Sequence, residues 1–375
     1  MNSNYNYTSL QPLLFDFDEF SFTNGLYLSE KETEFASYWN TVISSLPSYL
    51  FETNYIGRKG YRDIDILAVR CVMLFFKQNN IKQTLSFLKG SPRIKEIVGM
   101  IKVPSESVVS RKTKDLIQEI EMDNIYDMVT KEYFENKLIC NLSIDSTPID
   151  ARETPVKKVK DKVKKKRGRK SKGTLEESEY LAKQEEDKKI SQMAKTGDVN
   201  QYLSTLENRC SITGKMNSKG YMQWRIGYKV HLAVDDFGIP ISYFVSGASV
   251  HDSKVAIPLL RKAKEKAQFL YALMDGGYSS NDISEFTKTL DAVPIIDYKA
   301  DRNGVKVEMD PAKKIRYKAR TTVERTNSEL KDCFLAPKLY SRGEKSIFDL
   351  KLAVLLLTLK KIKHVIQLSS KQKAA

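Results

Sequence analysis

Histidine is scarce, at three in 375 residues, and the four cysteines, Cys71, Cys140, Cys210 and Cys333, are far apart with no CxxC pair. A zinc site is not expected on that supply, and a disulfide framework still less. A reduced, intracellular setting is expected instead. Long apolar runs are missing too. The longest near the C-terminus, Leu352 to Leu359, is far too short to span a bilayer and reads as a buried helix. The start, "MNSNYNYTSL", lacks the basic stretch and apolar run of a secretory leader, so none is expected.

Positive charge is what the chain has in excess. The net is +15, which suggests a polyanionic partner, either nucleic acid or an anionic surface. The charge is concentrated. Residues 157–172, "KKVKDKVKKKRGRKSK", hold eleven Lys or Arg and one Asp, a local net of +10 that leaves +5 for the rest. Such a block cannot pack a core. Gly168 between Arg167 and Arg169 resembles an AT-hook, but the proline usual after the second arginine is absent. Sequence-independent phosphate contact by Lys165, Lys166, Arg167 and Arg169 is the plainer expectation.

The chain length suggests two domains, or one large domain with an extension. Residues 31–135 carry helical spacing. "IDILAVRCVMLFFKQ" is one helix, with Asp63 or Asp65 near its start, and "IKQTLSFLKG" follows the turn "NN". "VPSESVVSRKTKDLIQEI" starts at Ser105, an expected N-cap. Tight turns and the basic residues Arg111, Lys112 and Lys114 suggest a helix-turn-helix-like DNA-binding module over 1–135; a plain helical bundle would read the same way.

The period changes at Lys137. "LICNLSID" alternates as a strand and ends on Asp145. Residues 155–220 read as an insertion, a basic tail plus a helical arm, with capping boxes at Thr174/Glu177 and Asp198/Gln201. Beyond it, "YMQWRIGYKVHLAV" and "IPISYFVSG" flank the turn "DDFG" as a hairpin. "HDSKVAIPLLRKAKEKA" is a helix, "FLYALMD" a strand ending on Asp275, "SSNDISEFTKTL" a helix and "VPIID" a strand. A helix over "RYKARTTVERTNSELKD" and a last one from about Ile347 to Gln367 complete a mixed α/β sheet with helices on its faces, spanning 136–368.

Two strands thus end in an acid, and ligands gather at the carboxyl ends of strands in α/β sheets. Gly276 and Gly277 follow Asp275 directly, so a backbone could approach closely, although a plain turn would also use them. On the penultimate helix, Tyr317, Arg320, Glu324 and Lys331 fall within roughly 60° of one another, with Val323, Leu330 and Phe334 on a neighbouring core stripe. A solvated face with i,i+4 ion pairs has a similar composition. Three carboxylates meeting at a sheet end would need a cation between them, and hard divalent ions with oxygen ligands are the usual answer.

At these residues the chain resembles the DDE transposases of bacterial insertion sequences, specifically the group with Tyr, two residues, Arg, three, Glu, six, Lys. "LSIDSTPIDA" is similar to the strand of the first Asp, and "LMDGGYSS" to that of the second. The resemblance covers about residues 137–365. It implies an RNase H-like sheet, a triad of Asp145, Asp275 and Glu324 binding two Mg²⁺ or Mn²⁺, and Tyr317, Arg320 and Lys331 holding phosphates or bases of the transposon end. It further implies double-stranded DNA, both terminal inverted repeats and target, as partner, a homodimer on paired ends, no membrane, and a cytoplasmic, nucleoid-associated bacterial setting. One departure stands out: the long insertion follows the first-Asp strand, while the gap at about 298–312 is short. Trp224 could stack on a flipped base but is expected in the core. His251 and Asp252 lie near the active end, with Asp252 expected as a helix cap rather than a fourth ligand. A nuclease that cuts without joining, and a DNA-binding protein derived from a transposase, are the competing readings.

Overall fold

A computed structural model of the chain describes residues 28–44, 46, 51, 60–155, 185, 192–216, 220–298 and 308–374. Lys165, Lys166, Arg167, Arg169 and the Thr174/Glu177 box lie outside the described residues.

Among the described residues six helices come first: Glu30–Ser44 (α1), Asp63–Phe75 (α2), Ile81–Gly90 (α3), Pro92–Ile97 (α4), Glu106–Glu119 (α5) and Met122–Phe134 (α6). Their starts follow local chemistry. The Ser29 hydroxyl and the Glu32 carboxylate accept each other's backbone N–H at the head of α1, and Asn80 accepts from the Gln83 N–H to cap α3. Ser105 occupies the cap position of α5 as expected, but its side chain makes no cap hydrogen bond and faces Ser107 instead. Helix α2 is buried on every side, which fits its near-continuous apolar sequence.

The sheet has six strands: Leu138–Asp150 (β1), Ser211–Met216 (β2), Met222–Val234 (β3), Pro240–Gly247 (β4), Gln268–Met274 (β5) and Val293–Ile296 (β6). Between them lie the helices Val199–Ser204 (α7), Ser253–Lys264 (α8) and Asn281–Thr289 (α9). The Asp198 side chain caps α7 by accepting from the Gln201 N–H at 2.7 Å, as its capping-box reading implies. Strands β1, β3 and β4 form an antiparallel meander, and β5 and β6 run parallel to β1. This is the mixed, helix-flanked sheet of the RNase H-like expectation.

Neighbouring β4 residues show the two faces. Ser242 donates to the Leu259 carbonyl of α8, while Tyr243 donates to Asp123 of α6. Adjacent strand residues point to opposite faces, so α8 covers one side and α6 the other. The last helix, Glu344–Ala374 (α12), packs on β4 and on α1, α2, α5 and α6. It closes one continuous core that runs from the first helices to the sheet. Within this core Arg70 of α2, 2% exposed, donates to both carboxylate oxygens of Asp349 at 3.0 and 3.1 Å.

Two sequence expectations need correcting here. The insertion over 155–220 holds the expected helix α7 but does not stay helical: Ser211–Met216 is a strand of the sheet. Its six residues include a glycine, too short and weak an alternation to stand out. With the first half of β3 it forms a ribbon beyond the point where β1 ends, and Ile212, Met216, Met222, Trp224 and Ile226 are all exposed on one face of it. Trp224 is therefore not a core residue. It is 69% exposed and lies across Gly214 on the neighbouring strand.

Candidate active site

The parallel pairing of β1 with β5 stops at Ile144 opposite Met274. The next residue on each strand is an acid, Asp145 and Asp275. They share a face and stand about one strand spacing apart, ~4.8 Å. β1 continues against β3 to Asp150, whose carbonyl accepts from the Leu339 N–H on the other edge, so Asp145 sits mid-strand, where the sheet opens on one side.

Local geometry fixes Asp275. Its carboxylate accepts from the Gly277 N–H at 2.8 Å, capping the 3₁₀ turn Gly276–Tyr278. A side chain at 277 would begin 2.9 Å from that same oxygen, so glycine is what lets the carboxylate lie there.

The third acid arrives on a composite helix. Pro311–Tyr317 (α10) leads through a 3₁₀ turn, Lys318–Arg320, into Thr321–Glu329 (α11) and a π turn, Leu330–Phe334. Two anchors hold it over the sheet. The Arg316 guanidinium stacks 3.7 Å from the centre of the Tyr271 ring on β5. Thr326 donates to the Gly238 carbonyl at 3.0 Å, where Gly238 turns the β3–β4 hairpin with φ +80°. A Cβ at 238 would meet the Thr326 hydroxyl at 2.7 Å, so the left-handed backbone and the close approach both ask for glycine.

The polar stripe of this helix lies along the active edge. Arg320 pairs with Glu324 through Nη2, and its Nη1 lies 3.6 Å from Asp145 Oδ1. The Tyr317 hydroxyl is pushed up by burial and by the charges of Asp297 and Asp275, against the pull of Arg320, which places it at the β5–β6 side. Lys331, half-buried in the π turn, is held down by burial and by Arg225, with Asp150 opposing, at the far end of β1. Val323, Leu330 and Phe334 are all buried, as the core stripe requires.

Asp145 is pushed up to about 6. Burial is the first cause; Arg320 opposes it, and the negative charges of Asp275 and Glu324 add to it. The three carboxylates therefore share one field. Asn327 completes the set and was missed in the sequence. Its amide donates to Asp145 Oδ2 at 3.1 Å, and its own Oδ1 is buried without a partner. It lies just beyond the stripe in helical angle, and its near-complete burial is a tertiary property no spacing rule reports.

Asp252 sits at the N-cap position of α8, but its side chain makes no cap hydrogen bond. It takes the Lys229 ammonium at 2.8 Å instead, correcting the cap expectation. It also receives the Ser146 hydroxyl. Ser146 points to the opposite face of β1 from Asp145, so Asp252 stands behind the triad rather than in it. His231, fully buried beside it, is held down to about 3, first by desolvation, and stays neutral, hydrogen-bonded to Ser246. His251 is exposed and bonds Ser253.

Three carboxylates and an unpaired amide oxygen are hard donors of the kind a divalent cation takes. As arranged, however, no group of three His, Cys, Asp or Glu among the described residues is close enough to hold a metal. Arg320 lies between Asp145 and Glu324.

The raised Asp145 gives a stability prediction. Its carboxyl titrates near 3.8 in an unfolded chain and near 6 in the fold. The folded state thus binds the extra proton, and its contribution is fully present below about pH 4 and lost as pH rises through about 6. Without added metal, Asp145→Asn should stabilise the protein at pH 8 by about 1–3 kcal/mol and add little at pH 4. Urea midpoints at the two pH values measure this; an equal gain at both would mean that charge is not the cause.

Residues 191–359 match the family model described as a transposase DDE domain. The match covers Asp275, the stripe and Glu324 but starts after β1, so Asp145 joins the site through the sheet. No curated protein and no solved structure matches the chain. No described helix is long and apolar enough to cross a membrane. Over residues 191–359, then, the chain is that of a transposase DDE domain, a family that acts on DNA in transposition.

Proposed function

We propose that this transposase cuts DNA at the terminal inverted repeats of an insertion sequence and joins the freed 3′-OH to target DNA, with Asp145, Asp275 and Glu324 as its acids. The observation that carries the reading is the pairing of Asp145 and Asp275 as the first residues past the β1–β5 ladder, under a helix that brings Glu324 into their field. These three residues would hold Mg²⁺ or Mn²⁺, two ions per site. When bound, the ions activate a water or hydroxyl nucleophile and stabilise the leaving oxygen.

The chain's own residues do the positioning. Asn327 fixes one oxygen of Asp145 through its amide. The planar fork of Arg320 suits a phosphate bidentately, Lys331 contributes a point charge at the end of β1, and Tyr317 holds the other side of the edge. Residues 1–135 act as the DNA-binding part of the protein. Arg111 is exposed on α5, while Lys112 is tied to Asp63 at 3.0 Å and is the poorer candidate for phosphate. The basic block, with Lys165, Lys166, Arg167 and Arg169, adds sequence-independent phosphate contact. The protein works as a homodimer on paired ends, in a bacterial cytoplasm at the nucleoid.

The test is a strand-transfer assay. Labelled duplexes carrying the inverted repeats that flank the gene are incubated with the protein, Mg²⁺ and plasmid target. Joined products are expected. Cut ends that never join would make the protein a nuclease, and bound, intact ends would make it a DNA-binding derivative.

A further inference from the structure

Arg320 stands where the reading above needs a cation. Its Nη2 is paired to Glu324, and its Nη1 lies 3.6 Å from Asp145, too far for a hydrogen bond. Nη1 is buried and has no acceptor, and on the other side of the same carboxylate Asn327 Oδ1 is buried and unpaired as well. A buried polar atom left unmatched loses the hydrogen bonds that water would have given it. The guanidinium is therefore engaged with the acids but not satisfied by them.

We infer that Arg320 is a specificity-determining residue that makes loading of the divalent cation conditional on DNA. The inference rests on Asp145 and Glu324 being the metal-binding acids. A guanidinium and a divalent ion compete for the same carboxylates. While Arg320 lies between Asp145 and Glu324, its charge already offsets theirs, and the metal gains less from binding. A DNA phosphate is the better partner for the fork, since it can take two parallel N–H bonds at once and so employ the idle Nη1. When Arg320 turns to a phosphate, both acids are left uncompensated beside Asp275, and the cation then gains the full attraction. Glu324 can follow, because its side chain is half exposed. The centre of the Tyr317 ring lies 5.8 Å from the guanidinium carbon. The cutting centre is thus assembled only where a phosphate is seated.

Thermodynamic linkage makes the coupling reciprocal: DNA must tighten the metal by the factor by which the metal tightens DNA. A positive sign alone is not diagnostic, because metal and phosphate attract each other without any arginine. The arginine has to be removed.

The experiment measures Mn²⁺ binding to the full chain from the electron paramagnetic resonance signal of the free ion. It is run with and without a short duplex of arbitrary sequence, with the duplex alone as blank. Wild type should bind Mn²⁺ weakly by itself and about tenfold more tightly with the duplex. Arg320→Ala should bind Mn²⁺ by itself about tenfold more tightly than wild type, and the duplex should add less than about twofold. Arg320→Gln keeps the side-chain size and should behave as Arg320→Ala; it serves if circular dichroism shows the alanine variant misfolded. Unchanged Mn²⁺ affinity in both variants without DNA, or undiminished coupling to the duplex, would overturn the inference. Asp145→Asn separates the two layers. If Mn²⁺ binding is lost in Asp145→Asn while the Arg320 variants match wild type, the acids stand and the arginine role falls. If Mn²⁺ binding is unchanged in Asp145→Asn, the acid assignment itself is wrong.

Discussion

Asp145→Asn is expected to leave the protein folded and bound to transposon ends while its cleavage rate drops by about a thousandfold, the upper range for removal of one electrostatic group at a reaction centre. The substitution keeps the shape and removes the charge. Asn327 would still find an oxygen to bond at 145, so the position of the β1 edge should not change. What disappears is the negative charge facing Asp275 and Glu324. Rapid-quench cleavage of labelled ends gives the rate, and a filter-binding titration without divalent ions gives the affinity. Near-normal cleavage would remove Asp145 from the triad. A parallel loss of binding would mean that the residue supports the DNA-binding surface instead.

The largest stability effect should come from far away, at Arg70. Arg70→Met leaves Asp349, 1% exposed, charged and without its partner in the core. Breaking a buried pair from one side costs about 3–5 kcal/mol, because the surviving charge is uncompensated. The same change also strips donors from Ser341 and Thr113, which meet the guanidinium at 3.2 and 3.3 Å. Urea unfolding of the full chain should show the loss. Asp349→Leu added to Arg70→Met should recover most of it, since an apolar pair of similar volume bears no desolvation penalty. If the double variant is as weak as the single, the cost is one of packing and not of charge.

The strand that stops just before Asp275 was legible from its apolar run, and so was the start of β1, but β1 was expected to end on Asp145 and instead runs on to Asp150 because β3 keeps pairing with it. Also legible was the buried stripe of Val323, Leu330 and Phe334, which survives a 3₁₀ turn before it and a π turn at its end. Helix α12 was legible from its apolar run, although it starts at Glu344, three residues earlier than expected. Other features could not be read. Asn327 matters through a hydrogen bond to a residue 182 positions away. The ribbon strand β2 is short and carries a glycine, so its period is faint. Trp224 looked like a core residue because tryptophan usually is one. Asp252 has the sequence of a cap, but the ammonium of Lys229 from a neighbouring strand competes for its carboxylate and wins. The common cause is long-range partnership, which local pattern does not encode.

The strand β1 has a consequence for synthesis. Its partners are made late: Ser143 pairs with Val234, and Leu138 with Gln268. Arg70 waits still longer, for a carboxylate 279 residues downstream. At a translation speed of about 5–20 residues per second, β1 spends several seconds or more outside the ribosome before β5 exists. A chain of such long-range pairings folds slowly and late. Any product that terminates early lacks Glu324 or the closing helix. Such fragments keep the first helices but, on the proposed function, would have no means of assembling the three acids around a phosphate. On that same proposed function, a stalled or degraded message would therefore yield no loose cutting activity, and the chain would become able to cut only once its last helix is complete.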